Sequence, residues 1–272
     1  MCLILFALQA HPNYPVVIAA NRDEFIKRPA HKAHWWAYFP DVLGGIDLEA
    51  GGTWLGVTRT GRFTALTNVR DLKNINPDAP SRGELTYKFL TQQSTEDQFG
   101  GLLERRKALY NGFNILWGNL AKRELFWFSN YGQGEKRIAD GVHGLSNALL
   151  DTPWYKVEEG KARLQAVLEA SIQEQLSPKE LTSSLLAMLQ DRTRPDDSRL
   201  PDTGVGIEWE RQLSSLFIHA PEREYGTRCS TVLLVDKDNN VHFTESRFTP
   251  SFEHGALDTA LGQSSFTFSF VE

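Results

Sequence analysis

Apolar residues along the chain fall into short runs, and polar segments bearing glycine, proline or asparagine separate them. Cys2 to Leu8 reads as a buried strand, with Tyr14 to Ala20 as its hairpin partner and the turn at His11-Pro12-Asn13. His31 to Gly52 reads as a loop-rich stretch carrying Trp35, Trp36, Tyr38 and Phe39. Thr53 to Thr58 and Arg62 to Val69 form a second hairpin around Arg59-Thr60-Gly61. Ser81-Arg82-Gly83-Glu84 has the spacing of a capping box and opens a helix to about Thr91. A further helix opens between Ser94 and Asp97 and runs to about Leu109. Asn114 to Trp117 and Arg123 to Phe128 give a third hairpin. A long helix follows from Tyr155 to about Gln173, with Val157, Leu164, Val167 and Leu168 near one face. Ser177-Pro178-Lys179-Glu180 supplies a cap and a first-turn proline for a helix to Gln190. Arg192 to Gly206 reads as a mobile polar loop. Cys229 to Val235 and Val241 to Phe248 form the fourth hairpin, and Ser265 to Phe270 adds an edge strand.

Strands therefore come as antiparallel pairs and helices as pairs. That order predicts an α+β fold: a four-layer αββα sandwich, two packed sheets with helices on both outer faces, rather than a doubly wound parallel sheet. A single domain over residues 1–272 is expected.

Composition narrows the function. A net charge of −5 and a pI near 5.8 offer no basic field for nucleic acid or anionic membrane. No apolar run approaches a membrane span, so no transmembrane segment is expected. Two cysteines far apart make neither a disulfide framework nor a metal pattern, which points to a reduced, cytoplasmic protein. No phosphate-binding glycine motif is present, so nucleotide cofactors have no support.

The chemistry concentrates at the start of the chain. Residue 2 is the one position where removal of Met1 gives a single residue both a thiol and a free amine. That amine, with an ordinary pKa of about 7.7–8.0, can serve as general base for its own side chain. The hairpin brings Asn21-Arg22-Asp23-Glu24 back to the end where Cys2 sits. Packing is the competing role for Cys2, and a solvated turn or a purely structural Arg-Asp network the competing role for the tetrapeptide. Cys229, in an apolar strand, reads as packing.

With Gly51-Gly52-Thr53-Trp54-Leu55-Gly56, Thr67-Asn68-Val69-Arg70, Gly144-Leu145-Ser146-Asn147 and Gly226-Thr227-Arg228-Cys229-Ser230-Thr231 beside Cys2 and the tetrapeptide, the whole chain resembles the NRDE family, also called the transport-and-Golgi-organisation family. The resemblance implies the αββα fold of N-terminal-nucleophile hydrolases and a role in intracellular haem trafficking or in binding acyl-coenzyme A or lipid. A more distant likeness to choloylglycine hydrolases implies Cys2 as nucleophile, supported by Arg22 and Asp23. It also implies Asn147 at the oxyanion position and Arg228 as the late-strand arginine. Thr58-Arg59-Thr60-Gly61 stands where those amidases carry an Asn-Glu turn.

Three readings follow. As a carrier, the protein takes haem or an acyl-coenzyme A-like molecule and passes it to an accepting protein. Asn21, Glu24, Asn68 and the guanidinium forks of Arg22, Arg70 and Arg228 would face the anionic end. Trp35, Trp36, Trp54 and Phe63 would supply flat walls, with the Trp35-Trp36 pair partly exposed. No haem signature surrounds any of the seven histidines, so haem is expected as a transferable ligand, not a tightly bound cofactor. As an enzyme, Cys2 attacks an acyl amide or thioester. As a scaffold, the polar cluster has no chemistry.

Overall fold

The computed structural model describes residues 2–92, 95–249 and 259–271. Met1, whose removal the enzyme reading requires, and Ser94, the first expected opening of the second helix, lie outside the described residues.

The first sheet has the strand order β10-β1-β2-β12-β13-β14, with β11 on the side of β12. Its members are β1 (Cys2–Leu8), β2 (Val16–Phe25), β10 (Gly141–Leu145), β11 (His219–Ala220), β12 (Tyr225–Val235), β13 (Asn240–Thr249) and β14 (Thr259–Ser269). The second sheet runs in chain order from β3 (Ala30–Trp35) through β4 (Val42–Asp47), β5 (Leu55–Thr58), β6 (Arg62–Asn68), β7 (Phe113–Asn119) and β8 (Glu124–Ser129) to β9 (Lys136–Arg137).

Strand alternation builds the layers. Ile4, Phe6, Val16, Ile18, Leu233 and Val235 of the first sheet meet Val57, Phe63, Ala65 and Leu116 of the second in the central core. The opposite face of the first sheet presents Leu3, Leu5, Val17 and Ala19 to α3 (Tyr155–Gln173) and α4 (Pro178–Leu189). On the outer face of the second sheet, Phe113, Ile115 and Trp117 pack against α1 (Gly83–Thr91) and α2 (Glu96–Arg106). The layer order is helix, sheet, sheet, helix. A short α5 (Ile207–Gln212) precedes β11. Among the described residues, no helix is long and apolar enough to cross a membrane.

Several expectations need correction. The 31–52 stretch is not mainly loop. It holds β3 and β4, paired across a register shift between His31 and His34 that obscures any alternation in the sequence. The strand β2 continues five residues past Ala20, through Phe25, so the tetrapeptide is sheet, not a turn at a strand exit. Ser81 makes no capping box, because Glu84 turns away to accept from the Tyr110 hydroxyl and pairs with Lys88. The box at Ser177 and Glu180 does form. The segment after Arg192 is irregular apart from one short turn at Asp197–Arg199.

Candidate active and ligand-binding site

A cavity of ≈ 570 Å³ opens between the sheets where the central hydrocarbon gives way to polar side chains. Its floor is one rung of the first sheet. Cys2 pairs with Arg22, Arg22 with Cys229, and Cys229 with Arg247, across β1, β2, β12 and β13. Paired residues of antiparallel strands share a face, and all four line the cavity. A bulge lets β12 build this floor. Thr227 pairs with Asp23 and Cys229 with Arg22, so Arg228 is an extra residue in the strand. The bulge puts Thr227 on the helix-facing side, where its hydroxyl donates to Asp23 Oδ1 at 2.7 Å.

The roof comes from the second sheet and the approach to α1. The Gly51-Gly52-Thr53-Trp54 segment packs directly on the helix start. Gly51 takes a left-handed φ of +70°, and a Cβ on Gly52 would stand 2.5 Å from the Gly83 carbonyl oxygen. Thr86 then donates its hydroxyl to the Thr53 carbonyl. This contact brings Arg82 and half-buried Trp54 onto the cavity wall.

The tetrapeptide is split by alternation. Arg22 and Glu24 belong to an ionic cluster that ties the two sheets. Asp47 of β4 accepts from Arg22 Nη2 at 3.2 Å and from Arg28 Nε at 2.7 Å, and Arg28 reaches Glu49 at 2.9 Å. Glu24 lies 3.7 Å from Arg22 and 3.9 Å from Arg28. Burial works against the Asp47 charge, yet the Arg28 bond and the Ala50 and Glu49 N–H groups hold its carboxyl below the ordinary value. Asn21 and Asp23 lean toward the helix side. Asn21 is fully buried; its amide donates to the Leu189 and Leu216 carbonyls at 2.8 and 2.9 Å, and Ser230 donates to its Oδ1. It is a brace between sheet and α4, not a ligand contact. Asp23 reaches both sides: it touches the cavity, and burial pushes its carboxyl up while the nearby Lys156 opposes that shift.

Cys2 is 8% exposed and meets the cavity. Burial pushes its thiol up, with Arg22 and a hydrogen bond from the Asp23 backbone N–H among the groups acting the other way. Cys229 is not simple packing: it also lines the cavity, and burial together with the Glu245 carboxylate holds its thiol well above the ordinary range. Both cysteines are free thiols. Glu245, raised by burial, accepts from the Ala33 N–H at 2.8 Å.

Other expected site residues stand elsewhere. Trp36 is buried: its Nε1 donates to the Gly44 carbonyl at 3.0 Å and its ring stacks on Tyr87, so it is core and not an exposed wall. Trp35 packs against Phe268 under the Arg59 guanidinium, away from the cavity. Phe63 is central core. Arg70 is behind the sheet, where its Nη1 meets Glu210 Oε2 at 2.6 Å with both side chains buried. It therefore anchors structure and does not face the cavity. Asn147 is not a cavity-lining residue. Its amide donates to the Asn68 carbonyl at 2.9 Å, and its Oδ1 lies 3.4 Å from Lys156 Nζ. Asn68 and Arg228 do line the cavity, with Cys2, Arg22, Asp23, Glu24 and Trp54.

Sequence reasoning missed Arg28, Asp47, Arg82, Glu245, Arg247 and Lys156. Three of these left a signal: Glu245 and Arg247 are polar at alternate positions of a strand whose same face is otherwise apolar, and Lys156 lies one turn from Gly160 on the buried face of α3. Lys156 is 2% exposed, and burial with the neighbouring Arg70 lowers its ammonium to about 8. No cluster of three or more histidine, cysteine or acidic side chains among the described residues could hold a metal ion.

The cations differ in their partners. Arg22 and Arg28 are neutralised by Asp47. Arg82 donates to the Gly112 carbonyl at 2.9 Å, Arg228 to the Phe25 and Ile26 carbonyls at 3.0 and 2.5 Å, and Arg247 to the Ala30 carbonyl at 3.4 Å. Among the described residues none of these three has a carboxylate within ion-pair distance.

The sequence profile of the Transport and Golgi organisation 2 family matches residues 1–250. The Transport and Golgi organization protein 2 homolog of Bos taurus is 39% identical over 262 residues, covering 90% of this chain and 92% of that protein. The Mus musculus homolog is 36% identical over 261 residues, with the same coverage of 90% and 92%. Among solved structures, a variant of conjugated bile acid hydrolase from Clostridium perfringens is 9% identical, with a TM-score of 0.47 over 99% of this chain and 98% of that one.

Proposed function

The chain belongs to the Transport and Golgi organisation 2 family, and from that premise we propose that it handles a small anionic amphiphile, haem or an acyl-coenzyme A-like molecule, in the cavity above Cys2. The observation that carries this reading is the trio Arg82, Arg228 and Arg247, which line the cavity and bond only backbone carbonyls among the described residues. A guanidinium in a partly desolvated wall gains most from a carboxylate or phosphate, because such charge-assisted bonds are roughly twice as strong as neutral ones. Trp54 supplies a flat apolar surface beside them.

Haem suits this wall as cargo. Its carboxylates would meet the arginines, and Cys2, Cys229 and His31 bring two thiols and an imidazole to the cavity surface. The burial that disfavours the Cys2 thiolate makes for weak, transferable iron contact. The protein then acts in a reducing, cytoplasmic setting and passes its ligand to an accepting protein.

Titration of haem and of a long-chain acyl-coenzyme A tests the proposal. Saturable binding of at least one is expected, with a loss of affinity in the Arg228→Ala/Arg247→Ala double variant. Equal affinity in a folded double variant would refute it.

A second reading, a Cys2 amidohydrolase acting on an acyl amide or thioester, is favoured by the Asp23 N–H aimed at a cavity-facing sulfur. Intact mass decides whether Met1 is removed. Retention of Met1, or hydrolysis that survives Cys2→Ala, excludes self-activated cysteine catalysis.

A further inference from the structure

The cavity floor has a built-in spacing. Cys2, Arg22, Cys229 and Arg247 sit on one rung of four adjacent strands. Neighbouring strands are about 4.8 Å apart, so the backbone under Arg228 and Cys229 lies roughly 10 Å from that under Cys2, and the backbone under Arg247 roughly 14 Å. Arg228 and Arg247 both lean to the segment joining β2 to β3, bonding the Phe25, Ile26 and Ala30 carbonyls. Burial works against the Arg228 charge, and the nearby Arg22 and Arg247 guanidiniums add to that. Glu24 and Glu245 also border this part of the cavity, but among the described residues neither pairs directly with Arg228 or Arg247, so the two guanidiniums can seat an anion with more than one oxygen.

The middle of the rung already has a carboxylate partner. Arg22 is held by Asp47, so it gives a ligand no equivalent attraction. Arg82 stands on the opposite wall at the start of α1, electrostatically close to Cys2. The cationic surface is thus divided into a near position beside the thiol and a far position two to three strands away, with the carboxylate-paired Arg22 between.

We propose that the cavity is a ruler: it seats an acyl thioester or amide with its carbonyl at Cys2 beside Arg82 and its anionic group at Arg228 and Arg247, about 10–14 Å away. Ligands whose anion stands closer to the carbonyl fall on the Arg22-Asp47 pair, and longer ones overrun the floor. This selectivity deepens the ligand-handling reading and rests on it.

Cysteine-reactive probes test the spacing without requiring turnover. A chloroacetamide is joined to a phosphate through a short, an intermediate (about 10–14 Å) or a long spacer, with a neutral hydroxyl-ended series as control. The thiolate displaces chloride, a C–S bond replaces the C–Cl bond, and the thiol proton passes to buffer. The rate is read at Cys2 and Cys229 separately by peptide mass mapping. The expected result is labelling of Cys2 about tenfold faster for the intermediate phosphate probe than for either other length. No length optimum is expected in the neutral series, and the optimum disappears in Arg228→Met/Arg247→Met. Arg247→Met alone, checked for an unchanged melting temperature and unchanged neutral-probe rate, covers the case in which the double variant does not fold. A phosphate advantage equal at all lengths overturns the ruler while leaving anion capture standing. No phosphate advantage at any length overturns both. An optimum that persists in the folded arginine variants assigns it elsewhere and overturns the ruler.

Discussion

Two polar clusters grow from the same four residues, and they do opposite work. Arg22 and Glu24 join Arg28, Asp47 and Glu49 on the cavity side, where most of these side chains keep some contact with solvent. Asp23 points to the helix side, into a region that also holds Lys156, Asn147, Arg70 and Glu210, all buried. The cavity cluster can exchange a carboxylate for water or ligand at small cost. In the helix-side cluster each charge depends on a fixed partner, because nothing else there can solvate it. Charge alone therefore does not mark a binding surface; access to a replacement partner does.

The contrast is broken most sharply at Glu210. Glu210→Ala removes the carboxylate that pairs with the buried Arg70 guanidinium and is expected to destabilise the fold by about 3–5 kcal/mol in chemical denaturation. A loss as small as that of an exposed pair would show that water reaches the cluster.

Next in size is a pH effect. The Lys156 ammonium is lowered to about 8 from an ordinary 10.5, so between those values the unfolded chain holds a proton that the folded chain has lost. Stability from this group therefore rises with pH across that window, by about 3 kcal/mol in all. Lys156→Met removes that rise, and the difference between wild-type and variant denaturation curves from pH 7 to 10 reports it. Parallel curves would mean that Lys156 is solvated.

On the cavity side the expected effects fall on ligand and not on folding. Arg82→Ala should weaken acyl-coenzyme A or haem binding by roughly 1.5–3 kcal/mol, the usual worth of a hydrogen bond to a charged group. The comparison sharpens if this variant keeps its melting temperature.

The smallest expected change is at Asp47. Asp47→Asn should cost no more than about 1 kcal/mol at neutral pH, because its partners are partly solvated. Its depressed carboxyl contributes stability above the ordinary value of 3.8 and loses it as the pH falls further, so the two proteins should converge in acid. Urea melts at pH 7 and pH 3 measure both points.

The same division explains what could be read from the residues. The β1–β2 hairpin, the long α3 and the Ser177 cap were legible because alternation, helical period and capping are local rules. β3 and β4 were not, because the register shift between His31 and His34 breaks the alternation. Trp36 looked like a surface ring because its neighbours are polar. It is buried by Tyr87, which lies far along the chain in a helix.

By itself the sequence determined the layer order and the return of the tetrapeptide to Cys2, since both follow from short-range pattern and one hairpin register. Only the tertiary structure decided which charges meet ligand. Arg70 finds Glu210 at a sequence separation of 140, a bulge at Arg228 sets the face of Thr227, and Arg82 arrives on the back of a glycine contact. These outcomes depend on which distant groups are left to neutralise one another once the sheets are stacked, and no local pattern encodes that.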